Sequence, residues 1–313
     1  MVWSPRGGAS ALALSLVLVA GCPPRGGPVP PAPPPLLPIG QAVAIVDENV
    51  AGITQTLAGG AIDVNAVFHE AGTVRRSSFL GTLRFLPPRH LYLELNLVAE
   101  PAAIVVGSND ETFWVAVKLG RDELWWGRWS DLTPDRAHRM PLSPDMMLAA
   151  MGLAPLPGPG EGLRGPVPQT DDGQYYKLLY LVSSKDVVWI QREYWLDRFP
   201  PYLPRAVVFR LPDGRVHMRS RLDRYERVAG SGVYVARQID VHWPVSDDRL
   251  SMRMGGLSFK PDIKADSRAY QIRTTIPRDR WIRVGDEPTT EPVPAAAGSA
   301  AGGADAEQEL ARH

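Results

Sequence analysis

The sequence predicts a mainly β chain with few helices, an α+β fold in which one many-stranded antiparallel sheet curls around two helices or around something else. Three observations predict it. Period-two alternation of apolar and polar residues runs through most of the interior, the pattern of strands with one dry face. Helical spacing occurs in only two stretches. Short turns such as Pro212-Asp213-Gly214 join the alternating segments and leave no room for the crossovers of a parallel sheet.

The chain of 313 residues opens with one positive charge, Arg6, and the uncharged run "GGASALALSLVLVAG". This has the dimensions of a signal-peptide apolar region and is too short to span a bilayer, so residues 1–21 are expected to be a targeting segment. The only cysteine, Cys22, follows Val19, Ala20 and Gly21. This "VAGC" resembles the bacterial lipobox, which implies a diacylglyceryl group on the Cys22 sulfur and cleavage just before it. The alternatives are an ordinary secretory signal and a small buried cysteine; an intrachain disulfide is impossible with one cysteine. Each buried acyl CH₂ contributes about 0.8 kcal/mol, so two or three chains would hold the protein on a membrane. Pro23 stands where the sorting rule for inner-membrane retention has aspartate, which points to the outer membrane, facing the periplasm. Residues 22–39 are proline-rich and favour a polyproline II spacer of roughly 50 Å at about 3.1 Å per residue. Residues 286–313 are low in complexity and expected to be disordered.

Residues 40–285 remain as one domain. In "QAVAIVDENVAGITQTLAGG", residues Val43, Val46, Val50, Ile53 and Leu57 recur three and four apart, which predicts a helix stopped by Gly59-Gly60. Leu91, Leu93, Leu95 and Leu97 then share one side of a strand against His90, Tyr92, Glu94 and Asn96. The same alternation predicts strands through Phe113–Leu119, Val216–Leu222 and Val233–Trp243. In "RLSMRMGGLSF" it slips at Gly255-Gly256, as a β-bulge requires. With strands near 74–86, 123–129, 175–183, 187–196, 204–211 and 268–274, the total is about eleven. A second, short helix is expected in "LSPDMMLAAMGL", with Ser143 as N-cap, Pro144 in first position and Asp145 in the first turn. Residues 152–173, rich in Gly and Pro, read as a long surface loop or a seam within the sheet.

Signals for chemistry are sparse. The formal net charge is zero and no basic block occurs, which argues against nucleic acid as a partner. The six histidines, His69, His90, His138, His217, His242 and His313, form no metal-ligand spacing, and no cofactor motif, GxSxG elbow or phosphate loop is present. Asp171-Asp172 and Asp247-Asp248 sit in turn-like contexts, where aspartate serves the backbone. No catalytic residue, metal or cofactor is therefore expected, and the chain reads as a non-enzyme. Trp114, Trp125, Trp126 and Trp129 are the one aromatic excess, to be read as core or as a partner surface. Methionines such as Met146, Met147 and Met151 suit an adaptable apolar surface.

The order of these segments resembles the LolA/LolB family of bacterial lipoprotein carriers and receptors. The resemblance is carried by "FHEAGTVRRSSFLGTLRFLPPRHLYLEL", by "GSNDETFWVAV" with its Asn109-Asp110 turn and Trp114, by "SPDMMLAAMGL" where that family sets a helix across the opening, and by "LPRAVVFRLPDGRVHMRSRLDRYERV" in the later strands. It implies a curved antiparallel half-barrel with an N-terminal helix and a short helix over the concave face. It implies binding of lipid or lipoprotein acyl chains in a hydrophobic cavity, for which the candidate lining is Leu83, Phe85, Leu93, Leu95, Val115, Val117, Met147 and Met151. The alternative is a non-catalytic scaffolding lipoprotein of the envelope, with a filled core and a protein partner at an exposed aromatic patch around Trp125 and Trp129. A hydrolase with an unrecognised site is a third reading.

Overall fold

The computed structural model describes Pro35 and residues 37–286, except 71, 120–121, 133–142, 159–161, 171–174 and 185–186. All of these fall within the unit Pro34–His313. The expected signal segment, the residues Val19, Ala20 and Gly21 that resemble a lipobox, the candidate lipidation residue Cys22 and residues 287–313 lie outside the described residues.

The first helix, α1 (Ile39–Ala51), is shorter than its spacing suggests. It buries Ala42, Val46 and Val50, but the chain leaves the helix at Gly52 and is already extended at Thr56. Ile53, Thr54 and Thr56 are β-branched and favour extended backbone. Ile53 and Leu57 are buried all the same, because the extended chain delivers them to the same core. Gly59-Gly60 therefore does not stop a helix; it lies within the first strand.

Two meanders make one sheet. The first comprises β1 (Thr56–Glu70), β2 (Thr73–Leu86), β3 (His90–Asn96), β4 (Ile104–Ser108), β5 (Thr112–Val117) and β6 (Glu123–Arg128). The second comprises β7 (Arg164–Thr170), β8 (Tyr175–Ser184), β9 (Val187–Asp197), β10 (Pro204–Arg210), β11 (Val216–Arg227), β12 (Tyr234–Trp243) and β13 (Asp248–Gly255). Antiparallel pairing of β1 with β13 joins them, so the order runs β6 to β1 and then β13 back to β7. A short β14 (Ser258–Lys260) also pairs with β1, and β15 (Trp281–Arg283) adds to β6 in parallel. Among the described residues the sheet thus has fifteen strands rather than about eleven. Residues 268–274 are not among them: Arg268–Tyr270 is one turn of 3₁₀ helix and irregular chain follows. The Gly/Pro-rich stretch, expected as a surface loop or a seam within the sheet, contains β7, whose Pro166 and Pro168 suit its place at the end of the sheet, where a missing N–H is tolerated.

The second helix, α2 (Pro144–Ala150), shows how strongly the sheet bends. It packs against β4 and β5 on one side and against β10 and β11 on the other. Six strand spacings separate β4 from β11 in the sheet order. Laid flat, that would be ~29 Å. A helix of this length is only ~10 Å long, so both groups of strands reach it only because the sheet curls into an open half-barrel. β6 lies next to one end of the order and β7 at the other, and α2, which falls between them in the chain, lies over the concave face.

Register fixes which side chains point inward. Leu83 of β2 stands opposite Leu93, which stands opposite Val106, which stands opposite Val115. On the other wing Leu178 faces Tyr194, Tyr194 faces Val207 and Val207 faces Ser220. The slip at Gly255-Gly256 is present and has a partner: β1 shifts register against β2 between Gly59 and Ile62. Because β1 pairs with β13 and β14 in one unbroken register, both strands change phase together. Leu57 and Phe259 therefore stay on the same side as Ile62 and Met254.

The opposite face of the first meander is also dry. Tyr92, Val105, Ala116 and Leu124 form a second cluster there with Tyr270 and Ile276 of the chain beyond β14. The Tyr270 hydroxyl lies 3.0 Å from that of Thr56, and Trp281 donates its indole N–H to Ile276 O at 3.1 Å. Trp114, fully buried, lies flat over the Gly107 backbone opposite it; a Cβ at 107 would sit 2.2 Å from the indole. Gly107→Ala is expected to cost about 3 kcal/mol or more in urea unfolding, since the indole has no room to withdraw. A loss below about 1 kcal/mol would show that the packing is loose.

Candidate functional site

The concave face under α2 is the candidate site. Leu83, Phe85, Leu93, Leu95, Val115, Met147 and Met151 are all buried in one continuous cluster, and Val117 packs at its edge half-buried. The strand register places the six strand residues on a single face, and that face is the one covered by α2.

Two polar contacts and a cap position α2. Asp145 in its first turn accepts from Arg192 Nη2 of β9 at 2.9 Å, with both side chains about four-fifths buried. At the other end Ser220 of β11 donates to Ala150 O at 2.7 Å. Ser143 occupies the N-cap position but caps no backbone N–H; its hydroxyl bonds the Asp145 carboxylate instead. The C-terminus closes as a Schellman motif: Leu153 N donates to Leu148 O and Gly152 N to Ala149 O, with Gly152 at φ +67°. Between these points the helix presents Met146, Met147, Leu148, Ala149 and Ala150, all buried.

The first helix is tied more broadly. Asn49 donates to Tyr234 O at 2.9 Å and accepts from Tyr234 N at 2.8 Å, which fixes it to β12. Asp47 accepts from Leu156 N at 2.9 Å, linking α1 to the chain that leaves α2; burial raises the Asp47 pKa and this hydrogen bond opposes the rise. Leu37 N donates to the Tyr176 hydroxyl of β8.

The two wings differ in chemistry. Inward positions of β2 to β5 are almost all aliphatic or Phe, whereas β8 and β9 contribute Tyr176, Tyr180, Tyr194 and Arg192. The Tyr180 and Tyr194 rings meet edge to face at 5.7 Å, and the Arg192 guanidinium lies 5.0 Å from the Phe209 ring. Sequence reading overlooks this polar end. The available signal is parity: Arg192 falls on the same side of β9 as Tyr194 and Leu196, an arginine on an otherwise dry face.

The tryptophans do not form an exposed patch. Trp125 and Trp129 are partly buried against the concave cluster, and Trp126 against the outer one. Trp129 donates to Asn109 O at 2.7 Å and packs against Phe113 and the Arg89 guanidinium. Among the described residues no group of three or more His, Cys, Asp or Glu is placed to hold a metal ion. Asp247 and Asp248 bind locally: Asp247 accepts from His242 and Arg249, which hold its carboxyl below the usual range, and Asp248 accepts from His69 N. Asp171-Asp172, His138 and His313 lie outside the described residues.

No protein-family model matches the chain, and no curated protein matches it. Among solved structures, it is similar to a domain described as an outer membrane lipoprotein-sorting protein from Vibrio parahaemolyticus, at 13% identity and a TM-score of 0.47, covering 72% of this chain and 95% of that one. It is similar to a DUF1329 family protein from Desulfovibrio piger, at 14% identity and a TM-score of 0.46, covering 73% and 96%. It is also similar to a LolA superfamily protein from Nitrosomonas europaea, at 9% identity and a TM-score of 0.45, covering 71% and 94%.

If the Asp145–Arg192 contact fastens α2, a double-mutant cycle with Asp145→Ala and Arg192→Ala gives a coupling of about 1–2 kcal/mol in chemical unfolding. A coupling within about 0.3 kcal/mol of zero would mean that apolar packing alone holds the helix.

Proposed function

We propose that this chain is an exported lipoprotein, anchored through Cys22 on the periplasmic side of the outer membrane, that binds acyl chains on the concave face beneath α2. In this reading residues 1–21 are removed as a signal peptide, residues 22–39 form the spacer, residues 40–285 form the binding domain and 286–313 a tail. The observation that carries it is the cover itself: a seven-residue helix with Met146 and Met147 on it and Met151 at its C-cap lies over a continuous apolar face.

Binding and release then need no covalent chemistry. Moving α2 aside means parting Asp145 from Arg192 and Ser220 from Ala150 O, and exposing apolar surface that costs about 25 cal/mol per Å². An acyl chain that takes the place of the helix restores that burial. Methionine side chains re-pack around chains of different shape because their thioethers are unbranched and polarizable. Leu83, Phe85, Leu93, Leu95, Val115 and Val117 would line the chain-binding wall, with Met147 and Met151 facing them. Arg192 and its tyrosine neighbours would lie toward the polar end of an amphiphile.

A second reading is favoured by the burial of the same residues. Seven of the eight are at most 1% exposed, as in a filled core, which suits a scaffolding lipoprotein whose work is done by a protein partner on its outer surface.

Native mass spectrometry with lipid extraction separates the two. Acyl-binding predicts co-purifying lipid, or uptake of a fatty-acid probe, that is lost in Met147→Glu while the near-UV circular dichroism of the fold persists. An apo mass with no probe uptake supports the scaffold.

A further inference from the structure

The outward face of the second meander carries a cavity of about 280 Å³ between β7, β8, β9 and β10. Lys177, Leu179, Ile190, Glu193 and Arg210 line it, with Gln169 and Gly214 beside them. Outward is fixed by register, since Tyr176, Leu178 and Tyr180, which alternate with Lys177 and Leu179, belong to the concave cluster. The cavity is therefore on the other side of the sheet from α2 and is independent of acyl binding on the concave face.

Its charged side chains are unusually buried for the outer face of a sheet. Lys177 and Glu193 are each only 5% exposed. Burial at that level requires compensation. Both Glu193 oxygens are used: Oε1 accepts from Arg210 Nε, and Oε2 accepts from Trp195 Nε1 at 3.1 Å. The Lys177 ammonium lies 4.0 Å from the Trp195 ring. Arg210 gives Nη1 to Gly214 O at 3.0 Å, while its Nη2 has no partner among the described residues. The Gln169 amide, directly across from Lys177 and exposed, also has none among them.

Among the described residues the groups left open are thus the Arg210 guanidinium edge and the Gln169 amide, while the Glu193 carboxylate is already saturated. Among the described residues a cation finds no unoccupied carboxylate here, whereas an oxyanion finds Arg210. Beside these donors the wall turns apolar. Leu179 and Ile190 form it, and Val167, opposite Leu179, and Val188, two residues before Ile190, remain 47% and 55% exposed on the same face. We propose that this cavity binds a small aliphatic oxyanion, a carboxylate or phosphate monoester held by Arg210 Nη2 and the Gln169 amide, with its alkyl part against Leu179 and Ile190 and pointing toward Val188.

Isothermal titration of the protein with hexanoate, hexyl phosphate and the uncharged isostere hexanamide tests this. At least one oxyanion is expected to bind at one site with a Kd of about 1 mM or below, and hexanamide about tenfold or more weaker. The tighter of the two oxyanions identifies the headgroup. Arg210→Lys keeps the charge beside Glu193 but removes Nη2, and Ile190→Phe fills the cavity; each should weaken binding by about tenfold while near-UV circular dichroism is unchanged. Where Arg210→Lys unfolds, Gln169→Ala at the exposed rim replaces it, with a several-fold loss expected. Three results overturn the proposal: no saturable heat with either oxyanion up to ~10 mM, equal binding of hexanamide, or binding that survives these variants and is lost in Met147→Glu, which would place the ligand on the concave face.

Discussion

A sheet with one continuous dry face must cover it, and among the described residues the only α-helices are α1 and the short α2. Two helices cannot tile the flat face of a fifteen-stranded sheet. The sheet instead bends until its two wings bury much of each other's apolar surface and the helices fill the remaining gap. The rest of the architecture depends on that bend: the meeting of the two meanders at β1 and β13, the reach of α2 from β4 to β11, and the single cluster that joins Leu95 with Met218 and Met252.

Bending requires local devices, and the central pair of strands supplies one. The extra residue in β1 between Gly59 and Ile62 coincides with the break between β13 and β14, so the chain changes phase on both strands at one level. A bulge increases local twist and bends its strand. Matched in two neighbours, it turns the sheet without exposing Leu57 or Phe259 to solvent.

Period two made most strands legible, because each has one wet and one dry face. The predicted strands at 175–183, 187–196 and 204–211 lie within one residue of β8, β9 and β10. Where both faces are covered, or where composition disguises a strand, the pattern misleads. Ile53 and Leu57 continue a helical spacing by coincidence of burial, β7 is hidden by its prolines, and residues 268–274 alternate yet pack across β3 to β6 as an irregular strap. Fifteen strands among the described residues exceed about eleven because β1, β4 and β7 went unread, the one bulged strand through Gly255-Gly256 divides into β13 and β14, and β15, at three residues, is too short for periodicity to register. The candidate lining was legible in part: parity gathers Leu83, Leu93 and Val115 on one side, but only the position of α2 shows that this side is concave. Arg192 escaped notice because a single arginine on a dry side looks like noise until Asp145 stands across from it.

The account turns on α2 being a cover and not simply core. Its burial alone favours core; its shortness, its methionines and its two polar fastenings favour a cover. Native-state hydrogen exchange of the amides of residues 145–151, with and without dodecanoate, reads the difference most directly. The account predicts that they open at lower free energy than those of β3 and β4, and that dodecanoate changes exchange in α2 and the concave strands alone. Exchange of α2 at the same opening free energy as β3 and β4, unaltered by dodecanoate, would contradict it.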